Sequence, residues 1–407
     1  YAPLYSNSGD QIAFVKTDDP PSWTQRTRLA LMPADGGESV LLAENFNSDL
    51  SPIGWASSGK SILAFEFYKT SSRILSIPSN GKEAKVLAEP KAYVTAVSLN
   101  ETGTRFGLIV MDTDRAAEAH VSRVNRFNPV QVSRANADIP DVPLGNTRVI
   151  SWASTDGLQI EGLLTLPVGY QEGEKYPLLL IIHGGPASHY ARIYIGASSL
   201  YPVAAFAAEG YAVLRANPRG SGAYGFEFRS LNKADWGGMD YIDLMAGVDH
   251  LIELGIADGD RLGVMGWSYG GFLTSWTITQ TDRFKAASIG APVTSLMGMN
   301  GTSDIPDFVA DYFGGEFWEM DELYRARSPL FQISKAKTPS LIQHGQADRR
   351  VPISQGIELY RAMKRLGVEV KMVIYPRSPH GPAEPRQVLR VMEGNVEWFG
   401  AHVPSNQ

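Results

Sequence analysis

The sequence predicts a chain in two parts: about three blades of a β-propeller, then an α/β domain with a mostly parallel sheet and helices on both faces. Three observations predict it. A segment repeats in the first third, strands alternate with helices in the remainder, and one serine sits in a glycine-rich turn where a strand meets a helix.

The repeat comes first along the chain. "LMPADGGESVLLAE" (31–44) aligns with "SIPSNGKEAKVLAE" (76–89), placing Pro33 on Pro78, Gly36 on Gly81 and Glu44 on Glu89, each pair 45 residues apart. A polar turn and a strand occur three times, as "NSGDQIAFV" (7–15), "SSGKSILAFEF" (57–67) and "ETGTRFGLIV" (101–110). Short strands and turns at a period near 45 are the pattern of propeller blades. A closed propeller needs roughly four to eight blades, and three would leave two open edges, which soluble proteins avoid. The expectation is that further blades come from a missing N-terminal segment or a companion chain. The opening "YAPLYSNSGD" has neither an initiator methionine nor a signal-type apolar run, as a processed product or a piece of a longer polypeptide would.

Residues 128–147, "NPVQVSRANADIPDVPLGNT", lack periodicity and carry prolines and polar residues, so they read as a linker. The expected domains are therefore 1–137, blades plus linker, and 138–407. "VISWASTDGLQIEGLLTLP" (149–167) reads as a strand pair around Asp156-Gly157. Six strand-like runs follow at 176–185, 211–222, 260–271, 284–293, 338–348 and 368–376, with helical patterns at 240–255 and 354–367. Such alternation gives a mostly parallel sheet.

Composition excludes several functions. The net charge of −6 offers no basic face for nucleic acid. The longest apolar run, "LLLII" (178–182), falls far short of the ~20 residues that cross a bilayer. A soluble chain follows, and cytoplasm and periplasm suit it equally. The absence of cysteine removes disulfides, thiolate metal sites and cysteine nucleophiles. No metal or other cofactor is expected, and homo-oligomerisation is left open.

The serine is Ser268 in "RLGVMGWSYGGFLTSW" (261–276), which fits G-x-S-x-G between a strand and a helix. This is the nucleophile elbow of an α/β-hydrolase domain, where the turn is so sharp that its neighbours must be small. A serine needs a base to take its proton and a carboxylate to orient that base, in the chain order Ser, acid, His. His380 follows the strand "VKMVIY" in a loop at a strand's C-terminal end, where α/β folds build their sites. His402 lies past the last helical pattern, in a tail expected to fray. Asp348 ends "TPSLIQHGQAD" and is the expected acid, whereas His344 reads as a packed structural histidine. Two oxyanion donors are expected, the N–H of Tyr269 and a glycine of "HGGP" (183–186), Gly185 in preference to Gly184.

With these residues in place, the string "HGGP", "NPRGSGAYG" (217–225), "ADWGG" (234–238), "GWSYGGFLT", "GTSDIP" (301–306), "YFGG" (312–315), "HGQADRRVP" (344–352) and "YPRSPHGPAEP" (375–385) resembles the prolyl oligopeptidase family of serine peptidases, in its acylaminoacyl-peptidase and dipeptidyl-peptidase branch. The resemblance is dense over about 150–400. It implies a hydrolase of short or N-blocked peptides, with the propeller limiting substrate size and Ser268, Asp348 and His380 as triad. It further implies that Arg350 stands near the bound peptide, although a structural ion pair would serve an arginine there equally well. Dipeptidyl peptidases of the type IV kind hold a free amino terminus with adjacent glutamates, and no Glu-Glu occurs in this chain. That disfavours an aminodipeptidase, unless the pair sits in missing blades. A carboxylesterase on the same machinery is the runner-up. A silent binding module would be expected to have lost a triad residue, and none is lost.

Overall fold

The computed structural model describes residues 2–47 and 49–405. The chain divides into two compact units. One comprises Tyr1–Asp141 with Ala191–Tyr194 and Gly222–Arg229, and the other Val142–Tyr190, Ile195–Ser221 and Ser230–Gln407.

The first unit contains three four-stranded antiparallel sheets, each made of consecutive strands. The first holds β1 (Leu4–Tyr5), β2 (Gln11–Lys16), β3 (Arg28–Pro33) and β4 (Val40–Leu42). The second holds β5 (Ser51–Trp55), β6 (Ser61–Tyr68), β7 (Ser71–Pro78) and β8 (Lys85–Ala88). The third holds β9 (Tyr93–Leu99), β10 (Arg105–Asp112), β11 (Arg115–Arg123) and β12 (Arg126–Gln131). The repeated segments fall on equivalent places, the end of the third strand and the turn into the fourth. That turn needs positive φ, met at Gly36 (101°) and Gly81 (77°). The central strand β6 is buried along most of its length because both its faces are covered. Ile62 and Ala64 pack with Leu29 and Leu31 of the first sheet, and Leu63 and Phe65 with Val94, Phe106 and Leu108 of the third.

One expectation is corrected here. Residues 128–131, read as linker, belong to β12, which pairs Val130 with Val121 and Gln131 with His120. Pro129 obscured the strand in the sequence, yet β12 is an edge strand, where a missing N–H is tolerated.

The second unit is built on one eight-stranded sheet in the order β13-β14-β16-β15-β17-β18-β19-β20. These are β13 (Thr147–Ala153), β14 (Gln159–Thr165), β15 (Tyr176–Ile182), β16 (Ala212–Asn217), β17 (Ala257–Trp267), β18 (Phe284–Gly290), β19 (Ser340–Gly345) and β20 (Val370–Tyr375). β13 and β14 form the antiparallel end, and the six strands from β16 to β20 run parallel. β15 is buried at every position, as a strand covered on both faces must be. Leu179, Ile181, Val213 and Met265 pack on one face against Phe206 and Phe399, from the helices Val203–Ala208 and Pro385–His402. On the other face Gly247 of the helix Met239–Glu253 lies against Leu214, and Gly356 of the helix Ser354–Arg365 against His344.

His402 is also reassigned, from frayed tail to the last residue of the C-terminal helix. Its Nδ1 donates to the Trp398 carbonyl at 2.9 Å and its Nε2 meets Glu369 at 3.2 Å, which closes that helical turn. Among the described residues no helix is long and apolar enough to cross a membrane.

Candidate active site

The parallel strands bring four loops to their C-terminal ends: "HGGP" after β15, Ser268 after β17, Asp348 after β19 and His380 after β20. Ser268 has φ 64° and ψ −120°, a conformation that non-glycine residues avoid and that persists only where surroundings impose it. The surroundings are backbone on every side. A Cβ on Gly266 would collide with the Gly270 carbonyl, one on Gly270 with that of Ile182, and one on Gly271 with that of Gly290. The Ser268 amide donates to Gly290 at 2.9 Å, and its carbonyl accepts from Phe272 at 2.8 Å to open the helix Tyr269–Gln280. That helix is buried from Tyr269 to Thr279. Its hydroxyls cap their own turns, Thr274 onto Gly270, Ser275 onto Gly271 and Thr277 onto Leu273, so burial leaves them satisfied.

Asp348 and His380 meet. The imidazole Nδ1–H donates to Asp348 Oδ2 at 2.9 Å, which leaves Nε2 as the lone-pair nitrogen. The other carboxylate oxygen accepts the Arg350 and Val351 amides, both at 2.9 Å. His344, fully buried, brings Nε2 to 3.5 Å from Asp348 Oδ2 while donating to the Val351 carbonyl at 2.9 Å. Burial alone would push the Asp348 pKa up. The hydrogen bonds from His344 and His380, the His380 charge and the Val351 amide outweigh it and hold the carboxyl down at about 2.

Two contacts tie these loops to the elbow and to each other. The Trp267 indole donates to the His380 carbonyl at 2.6 Å, so the residue before Ser268 holds the loop that carries His380. The Ala347 amide donates to the Ser378 carbonyl at 2.9 Å, joining the Asp348 loop to the His380 loop. Neither contact was visible in the sequence, and nothing in the pattern of Trp267 could have signalled its bond 113 residues away.

In "HGGP", Gly184 faces Ser268: a Cβ on it would lie 3.4 Å from Ser268 Cβ and 4.0 Å from Ser268 Oγ. His183 donates from Nδ1 to the Gly184 carbonyl at 2.7 Å, and its Nε2 meets Ser221 Oγ at 2.9 Å. Burial lowers the His183 pKa to about 4, keeping it neutral. The Gly184–Gly185 peptide is planar, so anchoring its C=O also fixes the opposite direction of the Gly185 N–H.

Tyr269 is locked by its side chain. Its hydroxyl donates to the Asp240 carboxylate and accepts from Asn232 Nδ2 at 3.3 Å, and its ring stands edge-on to Trp236 at 5.0 Å. "ADWGG" had been singled out in the sequence without a role. The structure now shows that Trp236 and, two residues beyond the motif, Asp240 form this socket. Burial pushes Asp240 up to about 7, with Asp235 and Asp243 adding to the effect against the Tyr269 bond. The sign follows from linkage. The unfolded carboxyl loses its proton near 3.8, so between pH 4 and 7 the folded chain binds the extra proton and wild-type stability falls as pH rises. Asp240→Asn, neutral throughout, should gain on wild type across that window by on the order of 3 kcal/mol. Thermal melts from pH 4 to 8 check it; a difference constant in pH would remove Asp240 as the titrating group.

Arg350 forms a half-exposed ion pair with Asp304 at 2.6 Å. Among the described residues no group of His, Asp and Glu could hold a metal ion.

Comparison with known proteins bears on this site. The prolyl oligopeptidase family model matches residues 198–405. The chain is 35% identical over 318 residues to an uncharacterized peptidase, YuxL, of Bacillus subtilis, covering 77% of this chain and 48% of that protein. It is 36% identical over 245 residues to the acylamino-acid-releasing enzyme of Arabidopsis thaliana, covering 57% and 31%. The solved acylaminoacyl peptidase of Pyrococcus horikoshii superposes with a TM-score of 0.85 at 24% identity, over 98% of this chain and 63% of that one, a likeness of fold. The chain thus spans about half or less of the length of these curated relatives. A family match over the segment that carries Ser268, Asp348 and His380, joined to a 35% identical relative, means that this chain belongs to the prolyl oligopeptidase family.

Proposed function

We propose that the chain carries the catalytic centre of a serine peptidase acting on short or N-blocked peptides. The observation that carries it is the Asp348–His380 pair, bonded at 2.9 Å and tied through Trp267 to the elbow at Ser268. Ser268 Oγ attacks the scissile carbonyl as His380 Nε2 takes its proton, and the imidazolium is stabilised by ionised Asp348. The Tyr269 and Gly185 amides receive the oxyanion, the first held by the Asp240 socket and the second by the anchored Gly184 carbonyl. His380 returns its proton to the leaving amine. A water activated by the same nitrogen then hydrolyses the acyl-enzyme.

The names of the relatives support blocked peptides as substrates, and Arg350 is our candidate for contacting them, once released from Asp304. The three N-terminal sheets serve in this reading as blades of a substrate-screening propeller. The greater length of the relatives supports further blades in addition to those on residues 1–137.

A fluorophosphonate probe should label Ser268 stoichiometrically, located by peptide mass mapping. An unlabelled, folded chain would instead favour the binding module. N-acetylated peptide anilides should be turned over faster than free dipeptidyl anilides, with p-nitrophenyl esters as a common reference. Ester cleavage without any amide cleavage would make the protein an esterase.

A further inference from the structure

Arg215 lies inside β16 and is 3% exposed, a rare place for a guanidinium. Its neighbours across the sheet are Leu163 on β14 and Ile181 on β15, and Val213 of the same strand face belongs to the apolar cluster beneath the helix Pro385–His402. Nε and Nη2 are buried with no hydrogen-bond partner, and among the described residues no carboxylate is paired with it. Burial draws its pKa down to about 10, so it is still a cation at neutral pH. A buried charge with nothing opposite it is among the costliest groups a fold can contain.

Two phenols share the place. The Arg215 guanidinium carbon stands over the Tyr190 ring, 5.8 Å from its centroid, a cation–π contact that offsets only part of the cost of burying the charge, and Tyr201 is close enough to Tyr190 for their hydroxyls to influence each other. The Tyr190 hydroxyl is buried without a partner, and the Tyr201 hydroxyl has only the Trp267 backbone amide beside it, which leaves its own O–H unused. Burial raises both pKa values well beyond the ordinary tyrosine range, so neither phenol supplies a counter-charge as phenolate. Tyr190 is held firmly: Asn217 accepts from its amide at 2.6 Å and donates to its carbonyl at 2.9 Å. The cluster therefore offers one positive charge and four unused donor groups, with no acidic partner.

We propose that Arg215, Tyr190 and Tyr201 form an internal site for one small monovalent anion, with chloride as its ordinary occupant. The apolar surroundings disfavour a divalent anion, whose desolvation is far costlier, and the burial of Arg215 excludes a peptide carboxylate on a long chain. The Tyr201 hydroxyl lies beside the Trp267 backbone, and its ring packs near Trp267 and Tyr375, so the anion braces the wall behind the elbow. The proposal stands independently of the reaction at Ser268.

The test is thermal unfolding of the whole chain at fixed ionic strength, with sodium gluconate replaced stepwise by sodium chloride or bromide. Tm should climb by roughly 3–10 °C and saturate, as mass action at a single site requires. Arg215→Met should abolish the climb and melt above wild type in gluconate, since it removes the unpaired charge. Tyr190→Phe keeps the cation and one phenol, so its climb should persist with a weaker midpoint, which keeps the proposal testable if Arg215→Met fails to fold. Crystals grown in bromide should give an anomalous peak within hydrogen-bond reach of Arg215. Identical melts in chloride and gluconate, an undiminished response in Arg215→Met, or water without anomalous signal at the site would each overturn it.

Discussion

Ser268→Ala should lower kcat on blocked peptide anilides by on the order of 10⁶-fold, with the fold intact. Alanine keeps the Cβ that the elbow already accommodates and removes only Oγ, so melting temperature and circular dichroism should match wild type closely. His380→Ala should fall to a similar floor, and the double variant no lower, because nucleophile and base act as one unit. Residual turnover above water would then report the oxyanion donors together with substrate binding. Near wild-type activity in Ser268→Ala would mean that a different serine is the nucleophile.

Asp348→Asn should cost on the order of 10⁴-fold in kcat with KM little changed. An amide can present its NH₂ to His380 Nδ1, which selects the tautomer whose Nε2 carries the proton and is useless as a base. Stability should also change, with a definite sign. The Asp348 carboxyl is depressed from 3.8 to about 2, so its contribution is fully present above about pH 4 and is lost as pH falls toward 2. The variant should therefore be less stable than wild type by on the order of 2 kcal/mol at pH 7. The gap should narrow in acid, as followed by denaturant unfolding at pH 7, 4 and 3. A gap that widened in acid would mean that Asp348 is not ionised in the folded protein.

Much of this was legible before any coordinates. The elbow is a local steric statement, since small residues at 266, 270 and 271 are required wherever backbone passes within a Cβ radius on all sides. The 45-residue repeat and the strand–helix alternation are equally local, written in turn glycines and in the two side-chain periods. Where local signals conflicted, the reading failed, as when Pro129 masked an edge strand whose pairing is set by β11.

What the chain alone determined, then, is the repeat of short strands, the later alternation of strands with helices, and which residue types stand at loop ends; the C-terminal helix Pro385–His402 and the edge strand β12 were not among them. Only the tertiary structure decided the partnerships: Trp267 with His380, His344 with Asp348, Asp240 with Tyr269, and the Arg215 guanidinium with the Tyr190 ring. The reason is physical. Each partnership depends on the register of parallel strands joined through long crossovers, and a side chain's neighbours across such a sheet are set by packing, which leaves no period in the sequence.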